Sequence, residues 1–293
     1  YKDVNRFEDC KRATLMAARV GRGDTGLHLN LFEIALAEDD EDSLARETKW
    51  FETNEDGTSV WYFPSFRGGA AAVQGRYRQA RDLFQGAYQN AERVKLPETA
   101  DKILIDEAQV ELKLGLPEAS RMTLNRIHPP DSGTPDYAQL RAELGDASAA
   151  QAFLAEHNGP SPDTLLTYVD LPRIRAVLAL NHGKPLDAIA ALELARPYEM
   201  RDYNILSLRA QAFLKAGQPG KAIEEYKKIL ANRGIDPTSV LYPLAYLGMA
   251  RSYAALGNTS ASRGQYDAFL GSWKNADRDL PVLKAATTEL AKL

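Results

Sequence analysis

Apolar residues recur at helical spacing through most of the 293 residues. The clearest stretch is near the C-terminus, where Leu206, Ala210, Phe213 and Leu214 stripe one segment and Ala222, Ile223, Tyr226, Ile229 and Leu230 stripe the next. Both follow a 3.6-residue period, which predicts two amphipathic helices. Between them stands Gly217-Gln218-Pro219. The glycine can end one helix in the left-handed conformation, and the proline fits the first turn of the next, where its missing N–H is not needed. Helices joined this tightly lie antiparallel. Gly115-Leu116-Pro117 and Gly183-Lys184-Pro185 repeat the punctuation. No stretch alternates like a strand; Val60-Trp61-Tyr62-Phe63 comes closest, and Pro64 follows it at once. The segments from Thr53 to Ser59, His128 to Pro135 and Asn158 to Pro162 are rich in Pro, Gly, Asp and Asn and read as loops between helix pairs.

Aligning the chain on helix, glycine and second helix selects Gly75, Gly115, Gly145, Gly183, Gly217 and Gly257, spaced 40, 30, 38, 34 and 40 residues apart. This scatters around the ~34 residues of a helix–turn–helix repeat. Three offsets recur around the glycine: a small residue seven before it, an aromatic four before it and alanine five after it. Ala210, Phe213, Gly217, Ala222 and Tyr226 satisfy the pattern, as do Ala250, Tyr253, Gly257, Ser262 and Tyr266. Small residues let helices approach, and aromatics fill the space between neighbouring pairs.

These residues resemble the tetratricopeptide repeat (TPR). The resemblance implies an all-α fold, a right-handed superhelix (α-solenoid) of antiparallel helix pairs. The segments around Gly75 and Gly183 match fairly. Those around Gly115 and Gly145 are degenerate, with Glu111 and Arg141 where the aromatic belongs, so the middle is expected to bend or pack irregularly. Aligned to the family, the Val60 to Phe63 stretch starts a helix. Residues 1–293 then form one quasi-one-dimensional solenoid of about eight pairs. It has divergent N-terminal helices over 1–59, degenerate repeats over 60–160, and better-formed repeats with a capping helix over 161–293.

Composition narrows the function classes. Apolar residues make up 44% and charged residues 26%, with no apolar run long enough to span a bilayer, so membrane insertion is not expected. A net charge of −4 offers no global basic field for nucleic acid. Cys10 is the lone cysteine, which excludes an intramolecular disulfide, and His28, His128, His157 and His182 are too scattered for a zinc helix. Neither a cofactor nor a metal site is expected. Tyr1 in place of methionine reads as a fragment of a longer polypeptide.

Several local signals have bland readings. Gly21-Arg22-Gly23-Asp24-Thr25-Gly26 matches the dinucleotide loop, but helical composition precedes it and no β-α-β unit follows, so it reads as a connector. The Arg22-Gly23-Asp24 tripeptide reads as a turn. The acidic run from Glu38 to Asp42 lacks the ligand spacing of a calcium loop and suits a helix N-terminus. Asn258-Thr259-Ser260 fits a glycosylation sequon at an inter-helix turn. No nucleophile, carboxylate dyad or metal set emerges, so no catalytic residue is assigned.

Two candidate contact surfaces remain. Trp50, Phe51, Trp61, Tyr62, Phe63 and Phe66 concentrate aromatic surface, which either cements helices or, at Trp61, Tyr62 and Phe66, offers a contact patch. The family's groove positions fall on Asp170, Arg173, Val177 and Asn181, on Asn204, Ser207, Gln211 and Lys215, and on Leu244, Leu247, Arg251 and Ala255. Amides there would bond a peptide backbone, while Arg173, Lys215 and Arg251 would meet its carboxylates. The Lys/Asn/Asn/Lys/Arg clamp that grips chaperone C-termini is absent.

The segments Leu241-Tyr242-Pro243-Leu244-Ala245-Tyr246-Leu247-Gly248, Tyr266-Asp267-Ala268-Phe269-Leu270 and Trp273-Lys274-Asn275-Ala276-Asp277 support a narrower resemblance. They are similar to the C-terminal TPR region of bacterial serine/threonine protein kinases and of winged-helix regulators. That implies a non-catalytic, protein- or peptide-binding region with a sensory or scaffolding role. The kinase motifs His-Arg-Asp and Asp-Phe-Gly are missing, so phosphoryl transfer does not reside here. The compartment would be cytoplasmic, or extracytoplasmic if a membrane span joins it to a kinase. The alternative is a small-molecule-sensing helical-repeat domain of a transcriptional regulator.

Overall fold

A computed structural model describes residues 1–19, 25–54, 59–127, 133–159 and 161–293. Among these residues there are sixteen α-helices and no strand. After α1 (Phe7–Arg19) come seven pairs: α2 (Thr25–Ala37) with α3 (Glu41–Thr53), α4 (Ser59–Val73) with α5 (Tyr77–Arg93), and α6 (Pro97–Lys113) with α7 (Pro117–Leu124). Then follow α8 (Pro135–Glu143) with α9 (Ala147–Glu156), α10 (Leu171–Asn181) with α11 (Pro185–Glu193), α12 (Tyr203–Lys215) with α13 (Pro219–Ala231), and α14 (Leu241–Ala255) with α15 (Thr259–Ser272). Helix α16 (Pro281–Leu290) ends the array. The fold is a TPR-like α-solenoid, with seven pairs and two single helices among the described residues. None of the described helices is long and apolar enough to cross a membrane.

The six aligned glycines all take a positive φ, from 68° at Gly183 to 92° at Gly145. In each turn the N–H of the next residue donates to the carbonyl four residues before the glycine, as in Gln218 to Phe213 at 2.8 Å and Lys184 to Ala179 at 2.9 Å. This closes the helix end and reverses the chain. Two further turns use the same bond without glycine: Asp39 (φ 57°) joins α2 to α3, and Lys95 (φ 59°) joins α5 to α6. Asp40 then caps α3, accepting from the Ser43 N–H at 3.0 Å, and Asn258 caps α15, accepting from Ala261 at 3.1 Å.

Inside five of the pairs the small positions are fully buried. Ala108 with Ser120, Ala138 with Ala150, Ala176 with Ala188, Ala210 with Ala222, and Ala250 with Ser262 are all 0% exposed. Where serine replaces alanine, its hydroxyl finds the carbonyl opposite: Ser120 donates to Ala108 and Ser262 to Ala250, each at 2.8 Å. At the degenerate Gly115 unit, buried Glu111 fills the aromatic's place by accepting from the hydroxyls of Tyr77 and Thr123, each at 2.7 Å.

The Val60 to Phe63 stretch does open a helix, α4, and Pro64 lies inside it. A proline there frees the carbonyl four residues earlier. That carbonyl, on Val60, accepts from the Asn90 side chain of α5 at 2.8 Å, which allows the helix to run through.

The array is not one-dimensional. The first helices of the pairs touch in succession from α4 to α14, and α14 returns to α4. One hydrophobic cluster joins Phe84, Ala87 and Ile103 to Leu247, Phe269 and Trp273. Trp273, 2% exposed, donates its indole N–H to the Val73 carbonyl at 2.8 Å. The Asp277 N–H donates to the Gly75 carbonyl at 3.0 Å, and the Asp277 carboxylate accepts from the Arg78 N–H at 2.9 Å. Nearer the N-terminus, Arg233 grips both oxygens of Asp39 at 2.7 Å and donates to the Leu36 carbonyl at 2.9 Å. The solenoid is a closed ring.

Candidate binding cavity

Closure forms a cavity of about 630 Å³, open on one side to solvent, between α4, α6, the start of α12 and the segment entering α14. Trp61, Tyr62 and Phe66 line it from α4, each half-buried. Their rings form a continuous surface, Trp61 to Tyr62 at 5.5 Å and Tyr62 to Phe66 at 4.8 Å. The other members of the aromatic cluster do different work. Phe51 stacks on Phe63 at 3.7 Å within a buried group that includes Phe32, and Trp50 stacks on His28 at 3.6 Å. The cluster therefore divides between core and cavity.

Most of the predicted groove residues are placed elsewhere. Arg173 is 5% exposed and holds Asp170 and Asp202 at 2.7 Å and Asp136 at 3.0 Å, so it does not face a peptide. Burial opposes its charge, but Asp202, Asp136 and Asp170 outweigh that and hold its pKa above the usual arginine value. Arg251 pairs with both oxygens of Glu289 on α16, at 2.8 and 2.9 Å. Asn181 donates to the Ala142 carbonyl at 2.7 Å, tying α10 to α8. Ser207 is buried and accepts from Gln211 at 3.2 Å. Lys215 is exposed at the end of α12. Of the groove set, Asn204 is the one in the cavity wall, accepting from Gln109 of α6 at 3.2 Å.

The charged part of the wall was not foreseen. Lys102 and Asp106 pair one turn apart on α6 at 3.1 Å, and Asp236 stands on the segment entering α14. Protein surrounds these groups although water reaches them, and burial raises the carboxyls of both Asp106 and Asp236. A sequence signal did exist. Asp136, Asp170, Asp202 and Asp236 are spaced 34, 32 and 34 residues apart, so an acid recurs at the repeat period near the start of four successive first helices. A second buried ion cluster, Arg209 with Glu199 and with Glu225 at 2.7 Å, cements α12 to α13 and also gave no linear signal.

The histidines serve local structure. His28 pairs with Glu47 at 2.7 Å, while His157 and His182 bond the Phe153 and Leu178 carbonyls of their own helices. His128, the Arg22-Gly23-Asp24 tripeptide and most of the glycine loop from Gly21 to Gly26 lie outside the described residues.

No family model matches the chain. Over 124 residues it is 29% identical to the tetratricopeptide repeat and J domain-containing co-chaperone DNJ1 of Fusarium oxysporum f. sp. lycopersici. The matched stretch covers 42% of this chain and 23% of the fungal protein. The chain thus spans under a quarter of that relative's length.

Proposed function

We propose that this chain is a non-catalytic protein- or peptide-binding module whose partner places a side chain in the ring cavity. The observation that carries the reading is the row of Trp61, Tyr62 and Phe66, which lines an accessible space and stays half-buried, Trp61 also packing on the core behind it. Aromatic rings of this kind anchor partners through large apolar area at low entropic cost. A repeat-containing co-chaperone among its relatives supports a protein partner. In the setting implied by the resemblance to kinase-linked repeats, the module is the sensory or scaffolding region of a bacterial signalling protein.

A small-molecule sensor is the second reading, favoured by the cavity's volume, which falls within the roughly 300–1,000 Å³ typical of ligand pockets. Selection of a displayed random dodecapeptide library on the immobilised protein tests the first. Recovered peptides should bind the wild type and lose binding to a Trp61→Ala/Phe66→Ala variant that melts normally. Recovery of no peptide, with a metabolite raising Tm by several degrees in a thermal-shift screen, would transfer the site to the sensor reading.

A further inference from the structure

The aspartates that recur at the repeat period have an occupant at one place and none at another. Three of them, Asp136, Asp170 and Asp202, close around the Arg173 guanidinium at 2.7 to 3.0 Å. The fourth, Asp236, faces the cavity, and no basic residue among the described ones pairs with it. Its Oδ1 accepts from the N–H and hydroxyl of Thr238, at 3.2 and 2.8 Å. The other carboxylate oxygen remains for a ligand. Glu98 lines the same wall and likewise has no basic partner among the described residues.

The balance of charge on the wall is negative. Of its two ammonium groups, Lys102 is matched by Asp106 at 3.1 Å and Lys113 by Glu143 at 2.6 Å. Lys102 reports the resulting field. Burial alone would lower its pKa, yet the value is raised, because Asp106, Asp136 and Asp236 together favour the ammonium form. The acids of this wall thus favour an ammonium group, which in Lys102 remains largely open to water, with 67% of its side chain exposed. The α4 rings add to the same preference, since an aromatic face attracts a cation and tolerates its methylene stem.

We propose that the cavity receives a lysine or arginine side chain from a basic peptide segment, with its charged head between the α4 aromatics and the Asp236 and Glu98 carboxylates. This rests on the peptide-binding reading and reverses the chemistry expected for the groove, where cations of this chain would have met carboxylates of the partner. Arginine has the more favourable geometry, because its fork can engage a carboxylate while its plane stacks on a ring. Arg173 already displays the carboxylate part of this recognition within the chain.

The peptides recovered by display supply the test. They should be enriched in Arg and Lys, and a synthetic representative should lose about tenfold in affinity for the Glu98→Gln/Asp236→Asn protein. Asparagine preserves the acceptor for Thr238, so the fold of the variant should be retained and is checked by its melting curve. The same peptide with norleucine at its basic positions should bind wild type and variant equally weakly. Neutral or acidic peptides that depend on Trp61 and Phe66 would overturn the inference while leaving peptide binding in place. Unchanged affinity in the double variant would also overturn it. Recovery of no peptide would remove the binding reading itself.

Discussion

The contacts between successive helix pairs and the contacts that close the ring are built on different plans. The array uses recurring positions: Ala210 and Ala222 buried inside one pair, Ala250 and Ser262 inside the next, and between those two pairs Tyr226 of α13 laid over Gly248 of α14, where a Cβ would come within 2.3 Å of the ring. The closing contact uses residues that occur once. Trp273 reaches the Val73 carbonyl, Asp277 bonds both Gly75 and Arg78, and a Cβ at Gly75 would lie 2.5 Å from Ala276. A repeat can specify how each unit meets the next, because the same residues serve every interface. Closure needs an instruction of its own, written here in the segment between α15 and α16. It also makes the cavity, since it brings Thr238 and Asp236 against α4 and α6.

Removing the closing contact should have the largest effect. Trp273→Ala deletes a fully buried indole, and losses of about 3–5 kcal/mol are usual for such a change. If closure couples the ends, urea unfolding of the variant should broaden as well as shift, and the radius of gyration in solution should rise. Peptide affinity should fall although no cavity residue has changed. A variant that loses stability with an unaltered radius and intact binding would show that Trp273 acts only as local packing on Phe269, whose ring is 4.7 Å away.

The interfaces around α6 should respond to pH. Glu107 is 1% exposed, receives the Gln85 amide and lies beside Glu111. Burial is the main reason its pKa is pushed up to about 7 from the usual 4.5. Between these values the folded chain holds a proton that the unfolded chain releases. Stability therefore falls as pH rises through that window and levels off above about 7. The fall is at most about 3 kcal/mol. Urea midpoints measured across the window should slope downward for wild type and flatten for Glu107→Gln. An equal slope in both proteins would assign the titration to another group.

Much of the array was legible because certain positions have few chemical solutions. Six turns require a positive φ, and glycine supplies it, so punctuation alone located Gly75 through Gly257. The turns at Asp39 and Lys95 have the same backbone but were invisible: aspartate tolerates this conformation among many other roles, and lysine carries no turn signal. The aromatic wall was half legible. At 100° per residue, Trp61, Tyr62 and Phe66 share an arc of about 140° on a helix. Pro64 stands inside that arc, where a proline ordinarily interrupts a helix. The missing information was Asn90, on another helix, which satisfies the carbonyl that Pro64 frees. The groove cations failed for a related reason. Counting positions placed Arg173 on a first helix, but the carboxylates that surround it come from the starts of α8, α10 and α12.

The smallest effect tests whether the repeat positions are equivalent near the closure and away from it. Ser120 and Ser262 occupy the same place in the α6–α7 and α14–α15 pairs, each fully buried and donating at 2.8 Å to the carbonyl twelve residues earlier. Alanine fits this place in other pairs, and the carbonyl left behind keeps its place in the helix ladder, so the loss is one hydroxyl bond. Ser120→Ala and Ser262→Ala should each cost about 1 kcal/mol in urea unfolding. Their sum should hold in the double variant to within about 0.5 kcal/mol, since the sites share no partner. In a Trp273→Ala background, Ser120→Ala should keep its cost. Ser262→Ala should become less costly if the α14–α15 pair then frays before the rest unfolds. Equal costs in that background would mean that α14 and α15 remain joined to the array through α12 and α13, and that closure shapes the cavity without holding the last pair in place.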